Sequence, residues 1–99
     1  MIAIPEMAGE EKRKRLGAWA EEMEIPLLFA DGLDDAIMGI GHQFNTAMVI
    51  YSRDKVIEIF MERDGMDHEE AEEMFSVNVI GAWVGEHTPM FLTVLPEDL

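Results

Sequence analysis

The sequence predicts an α+β fold: a small sheet of about three strands covered by helices, with an αα-hairpin over about residues 53–80. Three observations predict it. Apolar residues recur at three- and four-residue spacing over 6–23 and again over 53–80. Short runs rich in aliphatic, β-branched or aromatic residues stand at 27–30, 47–51 and 90–94. The chain has 99 residues, 48% of them hydrophobic, which is one domain's worth of sequence and too apolar for an acidic disordered tail.

The first helix is expected over residues 6–23, where Leu16, Trp19, Ala20 and Met23 define one face. Lys12, Arg13, Lys14 and Arg15 lie on its earlier turns, and Glu10 and Glu11 are spaced to pair with Lys14 and Arg15 at i,i+4. Pro26 breaks the helical pattern. Leu27-Leu28-Phe29-Ala30 reads as a buried strand that ends in an Asp31-Gly32 turn. Residues 33–45 are expected as a short irregular helix. Asp34 and Asp35 suit a helix start, although Gly39 and Gly41 weaken a helix and Ala36-Ile37-Met38 reads equally as strand. Ala47-Met48-Val49-Ile50-Tyr51 is the next strand.

Ser52 is an N-cap residue for a helix over 53–64, with Val56, Ile57, Phe60 and Met61 facing the core. Gly65 stands where a left-handed C-cap belongs, with Met66 placed for the accompanying apolar contact. Asp67 and Glu70 have capping-box spacing, and Ala71, Met74, Phe75 and Val79 continue the buried stripe. Residues 81–89 are turn-rich, and Met90-Phe91-Leu92-Thr93-Val94 is the last strand. Residues 1–5 and 96–99 are expected as loose ends. No repeat, linker or second domain interrupts the chain.

Charge narrows the function more than any motif does. There are 21 Asp and Glu against 7 Lys and Arg, a formal charge of −14. Beyond residue 15 the balance is 18 acidic residues to three basic ones, Arg53, Lys55 and Arg63. Such a surface repels phosphate backbones and anionic membranes and attracts basic protein grooves. The hairpin therefore makes a poor helix-turn-helix. Its second helix offers His68-Glu69-Glu70-Ala71-Glu72-Glu73 where a recognition helix needs cations, so direct nucleic-acid binding is not expected. Gly39-Ile40-Gly41 lacks the further glycine and the basic residue of a phosphate cradle. With no cysteine, disulfides, thiolate catalysis and Cys-based metal sites are excluded. No membrane span is expected, and the acidic start at Met1–Glu6 is unlike a signal peptide, so a cytoplasmic location is the expectation. The nine methionines serve as core filler or as an adaptable contact surface.

A set of blocks in fixed order runs from Leu28 to Phe91: Asp31-Gly32-Leu33-Asp34-Asp35-Ala36, Gly39-Ile40-Gly41-His42-Gln43-Phe44-Asn45, and Tyr51 with Lys55 and Ile57-Glu58. Arg63-Asp64-Gly65-Met66, Glu70-Ala71, Phe75, Asn78-Val79-Ile80-Gly81-Ala82-Trp83-Val84-Gly85-Glu86 and Thr88-Pro89 complete it. In these blocks the chain resembles a family of small uncharacterised proteins encoded by bacteriophages and prophages. The resemblance implies an accessory protein of a phage-like genome acting in the bacterial cytoplasm. It supplies no catalytic or binding residues, and His42 stands where an acidic residue is expected in relatives.

Two groups of residues are candidates for a site. Asp31, Asp34 and Asp35 offer three carboxylates to a hard cation, and with His42 and His87 they could form a metal or acid–base site, although the spacing matches no known ligand motif. The same aspartates also suit a turn and a helix cap. Asp64, Asp67, Glu69, Glu70, Glu72 and Glu73 form an acidic face that either keeps the domain soluble or fits a basic groove on another protein. Tyr51 and Trp83 are candidate interface anchors. The leading expectation is a non-enzymatic protein, without cofactor, that binds a host protein carrying a basic surface and inhibits a defence or nucleic-acid-handling enzyme. The alternatives are a metal-binding protein or small enzyme built on the aspartates and histidines, and a self-assembling structural protein. A homodimer is compatible with these features.

Overall fold

The computed structural model describes residues 7–95. Helix α1 (Gly9–Glu22) leads through an irregular stretch to a single 3-10 turn at Asp34–Ala36, then to strands β1 (Ile37–Gln43) and β2 (Thr46–Ser52). Helices α2 (Arg53–Asp64) and α3 (His68–Met74) follow, then a π-helical turn (Phe75–Val79) and strand β3 (Met90–Leu92). The sheet order is β1-β2-β3, antiparallel between β1 and β2 and parallel between β2 and β3. The α+β class and the three-stranded sheet are as expected, but the membership of the sheet is not.

Residues 33–45, expected as an irregular helix, are helical only over Asp34–Ala36; β1 takes the rest. The two glycines that weakened the helical reading both lie in β1, Gly39 with φ 153°. Gly39 and Gly41 lie opposite Ile50 and Met48 of β2, and a Cβ on Gly41 would stand 2.6 Å from Ile50 Cδ1. Residues 27–30, expected as a strand, are irregular, with Leu27, Phe29 and Ala30 half-buried and Leu28 exposed, and are tied down where Ala30 N–H donates to the Tyr51 hydroxyl at 2.7 Å. Pairing with β2, the central strand, is taken by β1 and β3 instead.

The αα-hairpin formed as its caps dictate. Ser52 Oγ accepts from Lys55 N–H at 3.2 Å, and Gly65 ends α2 at φ 69°, a conformation that a side chain resists. Asp67 and Glu70 make the reciprocal capping box at 2.8 and 3.2 Å. Val56, Ile57, Phe60, Ala71 and Phe75 are buried, whereas Met61 turns outward, off the stripe that Val56 and Phe60 mark. In α1, Ala20 is buried and Leu16 packs against the core, but Met23 lies past the last helical turn and is exposed.

The core is centred on β2, where Val49 and Tyr51 are fully buried. Tyr51 stacks on Phe91 at 5.5 Å between ring centroids, and Phe91 meets Phe75 edge-on at 5.3 Å. Phe91 is therefore the side chain that fastens β3, since Met90 and Leu92 on either side of it are exposed. The expected loose ends, 1–5 and 96–99, lie outside the described residues apart from the adjoining Leu95, which is exposed.

Candidate interaction surface

The aspartate cluster holds α1 to the body of the protein. Arg13 reaches Asp31 and Asp34, both at 3.3 Å, and its guanidinium lies 4.9 Å from the centre of the Phe29 ring. Asp35 Oδ1 accepts from Gly9 N–H at 2.8 Å, and Lys12 Nζ donates to the Asp35 carbonyl at 3.0 Å. Ala8 precedes α1 and has no side chain able to cap it, so Asp35 caps the helix from 26 residues away. Half of the basic run thus answers the aspartates. Only Arg15 makes the expected i,i+4 pair, with Glu11 at 3.0 Å.

The two histidines have separate surroundings. His42 is exposed and meets the edge of Trp19 at 6.2 Å. His87 Nδ1 stands 2.7 Å from the Ala47 carbonyl oxygen. A carbonyl can only accept, so this nitrogen carries the proton and the ring serves as a pin between the 81–89 turn and β2. Among the described residues no group of three or more His, Asp and Glu converges to hold a metal.

The acidic face is present and largely exposed. From 53 to 79 the chain carries nine acidic against three basic residues. Asp64 is bonded by Arg63 at 2.9 Å, and this partner lowers its pKa from the ordinary carboxylate value. Asp67 and Glu70 cap α3, and Glu72 lies 3.1 Å from Arg53 and 3.6 Å from His68. Glu69 and Glu73 point into solvent and make no ion pair among the described residues.

Next to this face the charge stops. Residues 80–95 contain one formally charged side chain, Glu86, yet most of them lie on the surface. Trp83 is 75% exposed, and Val77, Ile80, Val84, Met90, Leu92, Val94 and Leu95 are all exposed too. Thr88 holds the turn in shape: its hydroxyl accepts from Val84 N–H at 2.9 Å and donates to the Gly85 carbonyl at 2.6 Å. Of the two expected anchors Trp83 remains available. Tyr51 does not, because its ring fills the core.

An aromatic residue that sequence reasoning passed over joins this surface. Phe44, at the tip of the β1–β2 turn, is 98% exposed and has φ 55°. A bulky side chain in the left-handed region is disfavoured by about 1–2 kcal/mol, and here no burial offsets it. A tight turn between strands selects Asn or Gly at such a position, so Phe44 costs stability and contributes exposed aromatic area. The only sequence signal was a Phe-Asn pair between two strands, legible only once 37–43 is read as strand.

Phe44 and Trp83 line one groove of about 420 Å³ with Ile80, Pro89 and Met90. A second cleft of about 500 Å³ lies between the 28–33 segment and the 78–91 segment. The two share Thr88 and Pro89. A third, smaller depression of about 270 Å³ beside α3 is lined by Glu70, Glu73, Met74, Val77 and Asn78, and it shares Asn78 with the second. An apolar surface and an acidic helix edge are therefore continuous. No family model, curated protein or solved structure matches the chain.

Proposed function

We propose that the protein is a small binding protein that occupies a basic surface on another protein and blocks it, the mode of action of a phage accessory protein directed at a bacterial defence or nucleic-acid-handling enzyme. The observation that carries this reading is the continuity just described. An exposed apolar surface bearing Phe44 and Trp83, with Glu86 its one formal charge, adjoins the carboxylates of α3. Aromatic residues in a water-excluding patch supply affinity, while a rim of one charge supplies fast encounter and rejects like-charged partners. Exposed apolar patches rimmed by polar residues mark interaction sites. The sequence resemblance to phage-encoded proteins and the charge of −14 support the same class of partner.

The test is capture of the partner by the full chain at moderate salt, with Glu69, Glu70, Glu72 and Glu73 all changed to Gln in the control. Glutamine keeps the capping-box hydrogen bond, so the variant folds while its field weakens. Binding to a basic protein should slow in the variant and slow further with added salt. A partner that binds wild type and variant at the same rate would overturn this reading.

A further inference from the structure

The larger apolar side chains lining the second cleft include Leu28, Phe29 and Leu33 from one segment and Val79, Val84 and Phe91 from the other. Its volume of about 500 Å³ lies within the range of about 300–1,000 Å³ in which concave protein sites hold a guest. Phe91 at its base is fixed between Tyr51 and Phe75, so the floor is rigid. Carboxylates line the cleft and its two continuations; Asp31 among them is paired with Arg13 at 3.3 Å, and the Arg13 guanidinium also lies over the Phe29 ring. Asp31 lines the cleft with its side chain almost fully in solvent. Glu70 and Glu73 line the depression that continues it past Asn78, and Glu86 lines the groove that continues it past Pro89. No lysine or arginine lines any of the three. The depressions beside α1 and α2, by contrast, both include Lys or Arg.

We infer that this cleft is an anchor pocket that receives one bulky apolar side chain of a cationic peptide segment, whose Lys and Arg residues lie along the carboxylate rim. The inference rests on the proposed function and names the partner's recognition element. Charge decides between the occupants an apolar cleft can have. A second copy of this chain would bring another −14 against the same rim, whereas a cationic segment gains from the carboxylates of Glu70, Glu73 and Glu86 beside the cleft. Anchor and rim also divide the work. The buried side chain sets the dissociation rate, and the carboxylates set the association rate and its salt dependence.

The experiment titrates the full chain with three short synthetic peptides and follows backbone amide shifts. One alternates Lys and Leu on an amphipathic pattern, the second replaces its Leu with Ser, and the third replaces its Lys with Glu. The Lys/Leu peptide should shift amides around Val79, Val84 and Phe91. Each of the other two should bind about tenfold or more weaker, the discrimination available to a pocket deprived of its apolar group or its charge match. Val84→Asn and Leu28→Asn, both at solvent-exposed positions, should each weaken the Lys/Leu peptide while leaving the melting temperature close to wild type.

Equal binding of the Lys/Ser peptide would show attraction without an anchor and overturn the inference, as would equal binding of the Glu/Leu peptide. Cleft amides that shift with protein concentration alone would give the cleft to a second copy. A captured partner lost in the four-Gln variant but indifferent to Val84→Asn would overturn the pocket and leave the proposed function standing. A partner indifferent to the four-Gln variant overturns the function itself.

Discussion

Replacing Gly9 with alanine puts a methyl group where α1 meets the Asp34–Asp35 backbone. The new Cβ would stand 2.5 Å from Asp35 N, 2.5 Å from Asp35 Oδ1 and 2.6 Å from the Asp34 carbonyl carbon. Two of these are backbone atoms of a 3-10 turn whose neighbour Ala36 is buried, so the contact cannot be relieved by turning a side chain. Overpacking of this kind costs about 1–3 kcal/mol. Moving the helix away also lengthens the 2.8 Å bond from Gly9 N–H to Asp35, worth about 1 kcal/mol. The better helix propensity of alanine returns at most about 1 kcal/mol. The net expectation is a loss of about 1–3 kcal/mol, which lowers the melting temperature of a domain this size by about 5–15 °C. Gly17 supplies the control within the same helix: nothing stands within 4 Å of its added Cβ. Gly17→Ala should therefore stabilise by up to about 1 kcal/mol. Urea and thermal unfolding followed by far-UV circular dichroism measure both. If the two substitutions shift stability in the same direction, or Gly9→Ala leaves it unchanged, the close docking of α1 on the aspartate segment is refuted.

Arg13→Ala removes two half-exposed ion pairs and the contact over Phe29, and should cost about 0.5–1.5 kcal/mol by urea unfolding, less in high salt; no loss at all would mean the pairs are incidental. Phe44→Asn relieves a left-handed conformation without uncovering anything, so stability should hold or rise by up to about 1 kcal/mol while partner binding weakens; a destabilised variant would contradict the strain argument. Burial pushes the Tyr51 hydroxyl above its ordinary pKa of 10.0, so stability contributed by the neutral phenol is intact below that value and falls as pH rises through the folded value. Tyr51 is the only tyrosine, so its ultraviolet titration reports this directly, and a midpoint at or below the ordinary value would refute it. The charge of −14 predicts a melting temperature that rises from near-zero to moderate salt, and less steeply in the four-Gln variant; a fall would show that self-repulsion does not limit stability.

What the sequence made legible was local. The caps at Ser52, Gly65 and Asp67 act on neighbours no more than five residues away, and the hairpin they bound has the expected helix limits for α2 and the expected start for α3. What it hid depends on residues far apart in the chain. Asp34 and Asp35 read as the start of a helix, and Asp35 does cap one, but that helix is α1. The basic run read as solvated i,i+4 pairs because its partners Asp31, Asp34 and Asp35 stand some twenty residues downstream. Gly39 and Gly41 weakened a helical reading for the right reason, yet the close approach at Gly41 depends on Ile50 of the facing strand.

The same distinction separates the two halves of the candidate surface. Carboxylates at 64–73 are visible in any composition count, because a charged helix edge is exposed wherever the helix packs. The apolar half is not visible that way. Tyr51 and Trp83 are both aromatic residues in apolar runs, and only the fold buries the first while leaving the second in water. Phe44 is the sharper case, since local turn chemistry opposes it and packing gains nothing from it. A residue that neither local preference nor the core explains, placed on the groove that Trp83 also lines, fits the partner contact proposed above.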